Sequence, residues 1–372
     1  MFQRPIRNLR CAPCTPPTGW TWFRAAGIDM VAPRLRLDEL WATGREFLGT
    51  EYAVLGGAMT WVSERNLVSA LSNAGGFGVI ACGAMTTDLL DAEIAATAEM
   101  TTAPFGVNLI TMHPDLEKLI DVCLGQNVGH IILAGGLPGA PAIKRAKDGG
   151  AKVVCFAPTL SIAKRLVRQG ADALVIEGAE AGGHIGPVAT SVLAQEILPH
   201  IEDVPVFIAG GIGRGDAIVA YLEMGASGCQ LGTLFVCAEE SIAHENFKKA
   251  FIRAPARDAV PSVQLDPQLP VIPVRALQND ATREFQQTQR DMIDLVQRGD
   301  IEQHDAQLEI EHFWAGALRR AVVDGDVETG SLMAGQSVGM VKEIRPATTI
   351  IENLIDEAVE ALAARDRNKA GG

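Results

Sequence analysis

The chain has 372 residues, 48% hydrophobic and 21% charged, enough for a sizeable apolar core and about the length of one α/β barrel with an appendage. A net charge of −13 at pH 7 gives a global field that repels nucleic acid and anionic lipid, and no apolar stretch is long enough to span a bilayer. Most of the seven cysteines (Cys11, Cys14, Cys82, Cys123, Cys155, Cys229, Cys237) stand alone inside apolar runs. Reduced thiols in a cytoplasmic protein are therefore expected, without a disulfide framework.

The first twenty residues, "MFQRPIRNLRCAPCTPPTGW", are rich in Arg and Pro and lack acids. They have no continuous apolar segment, which argues against a secretory signal. Residues 1 to about 30 read as a disordered leader, or as an over-extended start with Met30 as the true one, and the leader as a whole is taken to residue 44. The lone Cys11-Ala-Pro-Cys14 has no second pair and no βαβ context to give it chemistry.

From residue 45 a phrase recurs: a short apolar run, a glycine-rich turn, then an amphipathic segment. The runs are "YAVLGGA" (52–58), "FGVIACG" (77–83), "FGVNLI" (105–110), "HIILAGG" (130–136), "KVVCFAP" (152–158), "ALVIEGA" (173–179), "VPVFIAGG" (204–211) and "GCQLGT" (228–233). Runs this short and continuously apolar suit strands buried on both faces of a parallel sheet. Segments between them, such as "TLSIAKRLVRQG" with Gly170 at its end, carry helical periodicity. Eight such units predict an α/β fold of the (β/α)8 TIM barrel type, closing near residue 250. An open doubly wound sheet is the rival, but no strand is followed by a GxGxxG fingerprint.

Past Ala254 the chain turns Pro-rich and irregular, then helical near 280–298 and 305–323, with a final helix near 348–364 and a frayed "RNKAGG" end. Residues 256–372 are predicted to form a C-terminal helical cap over the barrel mouth, with the "GSLMAGQ" turn (330–336) folding back across it.

Sites in such barrels sit at the C-terminal ends of the strands. Nearly every predicted strand here ends in small residues, Gly56-Gly57, Gly135-Gly136, Gly182-Gly183 and Gly210-Gly211 among them. One such glycine is ordinary turn chemistry; together they describe a floor on which something flat lies against bare backbone. The seventh and eighth loops, each expected to lead into a helix, offer backbone N–H groups for an anion, with the Thr233 hydroxyl beside them. His184, after Gly182-Gly183, should point at whatever lies there. The other histidines have no acid at metal-ligand spacing and no GxSxG elbow is present, so no metal site and no serine nucleophile are expected.

Taken together, "GGAMTWVSERNLVSALSNAGGFGVI", "PFGVN", "IEGAEAGGHIG", "IAGGIGRGDA", "GCQLGTLFV" and "GDVETGSLMAGQ" resemble the 2-nitropropane dioxygenase family of FMN-dependent TIM barrels. That family holds the nitronate monooxygenases and the FMN-dependent enoyl-acyl-carrier-protein reductases. The resemblance runs from about residue 50 to about 360. It implies that Met59, Thr60 and Asn108 contact FMN. It implies further that Gly183, Gly210, Gly211, Gln230, Gly232 and Thr233 hold its ring, ribityl chain and phosphate. Met333 and Gln336 would close the site from the cap, and His184 matches the catalytic histidine.

Two activities follow from the resemblance. In the first, an alkyl nitronate is oxidised with O2 to a carbonyl compound and nitrite, with His184 orienting the anion or deprotonating the nitroalkane. In the second, NAD(P)H reduces the flavin, an enoyl thioester is reduced, and His184 helps to protonate it. The basic run "NFKKAFIRAPAR" (246–257) is then either a docking site for an acidic carrier protein or a solvated helix face. A flavin-binding protein without turnover is a third reading, which leaves His184 unexplained. The partners expected are a small-molecule substrate, with O2 or NAD(P)H as co-substrate, and a second copy in a homodimer.

Overall fold

The computed structural model describes residues 31–83, 85–267, 269 and 271–370. The leader before Val31, the Met30 start and the Cys11–Cys14 pair lie outside the described residues.

All eight predicted runs are strands of one parallel sheet: β1 (Val54–Gly56), β2 (Gly78–Ala81), β3 (Phe105–Ile110), β4 (His130–Ala134), β5 (Lys152–Phe156), β6 (Ala173–Glu177), β8 (Val206–Ala209) and β9 (Gly228–Leu231). The remaining strand in this stretch, β7 (Gly183–His184), belongs elsewhere. The sheet runs β1-β9-β8-β6-β5-β4-β3-β2. Leu55 bridges Phe77 in parallel, with Gly56 N–H donating to Phe77 O and Phe77 N–H to Val54 O, both at 2.9 Å, which closes the ring. The chain is thus a (β/α)8 barrel, and its strands are continuously apolar because helices cover one face and the barrel interior the other.

The wall is completed differently from the sequence expectation. After β9 no helix returns to the wall at once. The helix Ala347–Ala370 packs instead against the helices Gly215–Glu223 and Arg65–Asn73, taking the place of the eighth barrel helix. Bare Gly215 allows this approach, since a Cβ there would lie 2.1 Å from Leu354 O. The barrel therefore does not close near residue 250, and this helix lies on the wall, not over the mouth. It runs through Ala370, so residues 367–370 of the end expected to fray are helical, and Gly371 and Gly372 lie outside the described residues.

What caps the mouth is the chain between β9 and that helix. It holds β10 (Ala259–Pro261), β11 (Val274–Leu277), the helices Asp280–Arg298 and Gln303–Val322, and β12 (Leu332–Met333). The two helices close a small separate core of Leu269, Val274, Phe285, Ala306, Ile310 and Trp314, with the Phe285 and Trp314 rings 4.3 Å apart. β11 pairs antiparallel with β10, β12 and β7, so one strand of the cap holds a piece of the barrel's own loop.

The leader boundary at residue 44 is also corrected. Residues 31–48 form the helices Val31–Leu40 and Ala42–Leu48, with Leu37, Trp41 and Leu48 buried. Arg36 reaches Glu223 at 2.7 Å and Asp366 at 2.8 Å, tying the first helix to the wall. The second covers the bottom of the barrel, where a Cβ on Gly44 would fall 1.9 Å from Ser227 O.

At that bottom His130 Nε2–H donates to Phe47 O at 2.9 Å, its ring lying edge-on to Phe47 and Phe77. Burial, with Lys152 adding to it, pushes the imidazole down to about 4. Since the unfolded imidazole titrates near 6.5, protonation favours the unfolded chain. This contribution is fully present above pH 6.5 and is lost as pH falls toward 4, up to about 3 kcal/mol. Urea denaturation between these pH values should show stability falling with acid, and His130→Gln should flatten that segment of the profile.

Candidate active site

The C-terminal ends of the barrel strands and the cap enclose a cavity of about 560 Å³. Met59 and Thr60 reach it from the loop after β1 and Asn108 from β3. Gly210 and Gly211 follow β8, Gln230 lies in β9, and Gly232 and Thr233 follow it. Gly183 and His184 enter through β7 and Met333 through β12. Gln336 alone of the predicted residues is not among those lining it. Its backbone N–H donates to Glu180 O at 2.9 Å, and its neighbour Ser337 lines the cavity instead.

The floor beside β8 and β9 is bare backbone. Gly210 and Gly211 have φ of 96° and 75°, a region open to glycine, and a Cβ on Gly210 would lie 3.0 Å from both Gly178 O and Thr190 Oγ1. The helix after β8 is not the anion site expected: its Gly215 N–H already donates to the Glu357 carboxylate at 2.8 Å. Nor does a helix follow Gly232-Thr233, only the short 3-10 turn Phe235–Cys237. Gly211, Ile212 and Thr233 line the cavity, and their backbone N–H groups donate to no group among the described residues. They offer the anion the same donors without a helix behind them.

The loop that carries His184 is held at nearly every residue. Gly183 and His184 pair with Arg275 and Val274 of β11, and Ile185 N–H donates to Pro273 O at 2.9 Å. Buried Arg275 donates through Nε to Ala179 O at 2.8 Å and through Nη1 to Ala259 O at 2.5 Å, joining loop to cap. The Glu180 carboxylate accepts from the N–H and the Oγ1–H of Thr190, each at 2.9 Å. Hydrogen bonds from a charged donor are worth about 1.5–3 kcal/mol each, so the two from Arg275 hold this loop to the cap. His184 itself is exposed at the rim.

Sequence reasoning missed two features. Glu177, the last residue of β6, lines the cavity; it shares the strand face of Ala173 and Val175, and a lone acid closing an apolar run was the available signal. Burial pushes its carboxyl up to about 8. The mouth also has an apolar rim of Met112, Leu137 and Ile272, 65%, 49% and 44% exposed. The basic run 246–257 is reduced by folding, because Lys248 is buried with its ammonium on Ala238 O and Ser241 O at 2.7 Å. No helix among the described residues is long and apolar enough to cross a membrane.

Comparison with known proteins places this site in a family. The family model described as nitronate monooxygenase matches residues 43–357. A solved structure of FabK from Thermotoga maritima superposes with a TM-score of 0.78 at 35% identity, covering 87% of this chain and 98% of that one. A nitroalkane oxidase from Streptomyces ansochromogenes gives a TM-score of 0.70 at 26% identity over 86% and 99%. Among curated proteins, the (3aS,4S,5R,7aS)-5-hydroxy-7a-methyl-1-oxo-octahydro-1H-indene-4-carboxyl-CoA dehydrogenase of Mycobacterium tuberculosis is 29% identical, covering 85% of this chain and 96% of its own length.

The contact between the His184 loop and the cap can be tested at Gly182. A Cβ there would lie 2.6 Å from Gly335 N and 2.7 Å from the Ala334 carbonyl carbon. Gly182→Ala should force residues 331–340 away from the loop, read as faster amide exchange across that stretch with the barrel strands unchanged. Unaltered exchange there would mean that the loop and cap do not depend on this close approach.

Proposed function

This chain belongs to the nitronate monooxygenase family of oxidoreductases, and from that premise and the shape of its cavity we propose that it binds FMN and oxidises alkyl nitronates with O2. The observation that carries the reading is the floor of the cavity. Glycines without side chains leave a flat surface, and the amides of Gly211, Ile212 and Thr233 remain available for a phosphate. Asn108 of β3 and Gln230 of β9 bring amide groups suited to the polar edge of a flavin ring. These residues fit FMN, with Met59, Thr60, Gly183, Gly210 and Gly232 against it and Met333 closing over it.

When bound, FMN supplies the electron transfer to and from the substrate. The protein contributes position and proton handling. His184 stands at the open rim on a strand pinned to the cap, where it can hold the nitro oxygens of an anionic nitronate or take a proton from the neutral nitroalkane. The cap and its β12 cover the floor and limit water there.

The apolar rim of Met112, Leu137 and Ile272 favours a second reading, reduction of an enoyl thioester with NAD(P)H, since it suits an acyl chain better than a small nitronate. Anaerobic mixing of the FMN-loaded protein separates the two. Bleaching of the flavin by propyl-2-nitronate but by neither NADH nor NADPH supports nitronate oxidation, and fast bleaching by a nucleotide followed by reoxidation with an enoyl thioester supports the reductase. On whichever substrate is active, His184→Asn should retain FMN and lose about a hundred- to ten-thousandfold in turnover. Rates within about threefold of wild type would remove His184 from the chemistry.

A further inference from the structure

The cavity floor holds one ionisable side chain with no role in the account above. Glu177 ends β6 in register with Ala209 of β8 and is partly exposed into the cavity it lines. Among the described residues the cavity's other titratable lining group is His184, at the rim, and no Lys, Arg or Asp lines it. Neighbouring elements bring no counter-charge. On β5, Cys155 is buried, and the Lys152 ammonium is engaged with Phe47 O at the barrel bottom. β8 contributes only Val206, Phe207, Ile208 and Ala209. Lys164, Arg165 and Arg168 of the helix before β6, and Glu196 of the helix after it, are exposed on the outer wall. Glu180 is committed to Thr190, and Arg275 to the carbonyls of Ala179 and Ala259. No hydrogen bond among the described residues reaches the Glu177 carboxyl, which opens to the cavity.

We propose that Glu177 is a positioning residue for the flavin: its carboxyl stands neutral on the cavity floor and donates a hydrogen bond to the polar edge of the bound ring, which links flavin reduction to the ionisation of Glu177. The proposal rests on the FMN reading above. A carboxylate enclosed in this largely apolar cavity without cation or donor is costly, and the group avoids that cost by keeping its proton. Burial acts here alone, with no charged neighbour contributing. A neutral carboxyl offers an O–H that Asn108 and Gln230 do not have, and an apolar site is a known way of turning an acid into a donor. The flavin ring gains negative charge when it takes two electrons. A neutral Glu177 favours that change and an ionised one opposes it. Once ionised, Glu177 takes one proton from solvent as the ring takes its two electrons, and no bond to carbon forms or breaks.

The test is a reductive titration of the FMN-loaded protein with dithionite and indicator dyes at a series of pH values. Wild type should take up one more proton per two electrons above about pH 8 than below it. Glu177→Gln, nearly isosteric and permanently neutral, should show no such step, and Glu177→Asp should restore one at a shifted pH. Superimposable wild-type and Glu177→Gln profiles would overturn the proposal, as would a wild-type carboxyl already ionised at the acid end. Infrared difference spectra of the flavin-free protein provide a second reading: a protonated-carboxyl band at neutral pH should be present in wild type and missing from Glu177→Gln. Failure of wild type to take up any flavin would sink the FMN reading and this proposal together. Normal uptake with identical profiles would sink this proposal alone.

Discussion

Gly183 and His184 pair antiparallel with Arg275 and Val274, and the rest of the site depends on this pairing. It joins a loop of the barrel to a strand of the cap, so the rim histidine is placed by two parts of the fold at once. Arg275 reinforces the join from inside by bonding a carbonyl on each part. Such a buried guanidinium would be costly alone, and two carbonyl acceptors make it tolerable. The backbone of His184 is thus set by the strand pairing, while glycines after β8 and β9 leave bare backbone on part of the cavity floor.

The chain path makes this arrangement affordable. The last barrel strand leads into the cap, and only the helix Ala347–Ala370 returns to complete the wall. The cap is thereby tethered at both ends to the barrel, and its separate core around Phe285 and Trp314 keeps it folded as it spans the mouth. At the other end of the barrel, the helices Val31–Leu40 and Ala42–Leu48 close the bottom, and Arg36 bonds the first of them to the terminal helix through Asp366. The cavity sits at the end of the barrel where a loop is pinned by the cap, and helices plug the other end.

Strands and cap helices were legible because their physics is local. A strand buried on both faces reads as an apolar run, and the helix Asp280–Arg298 coincides with the helical segment expected near 280–298, with Gly299 closing it in the left-handed region. The destination of the terminal helix was not legible, since periodicity says that a helix forms and not which wall it completes. The first helix was hidden by Arg34, Arg36 and Asp38, whose partners lie partly in distant segments. β7 and β12 are two residues long, too short for any pattern, so the tie between Gly183 and the cap appears only in three dimensions. In the site, the glycine turns and His184 do line the cavity, and Gln336 does not, its neighbour Ser337 lining it instead. Lys248 read as surface charge because its carbonyl partners, Ala238 and Ser241, come together only when the chain after β9 coils back.

The account stands or falls on what lies on that glycine floor. Purified protein stripped of any bound group and incubated with FMN or FAD, then separated from excess and denatured, reports directly which flavin it keeps. One FMN per chain, with no FAD retained, is the result predicted from the three open amides of Gly211, Ile212 and Thr233 and the absence of a dinucleotide fingerprint. Retention of FAD, or of neither flavin, would contradict it.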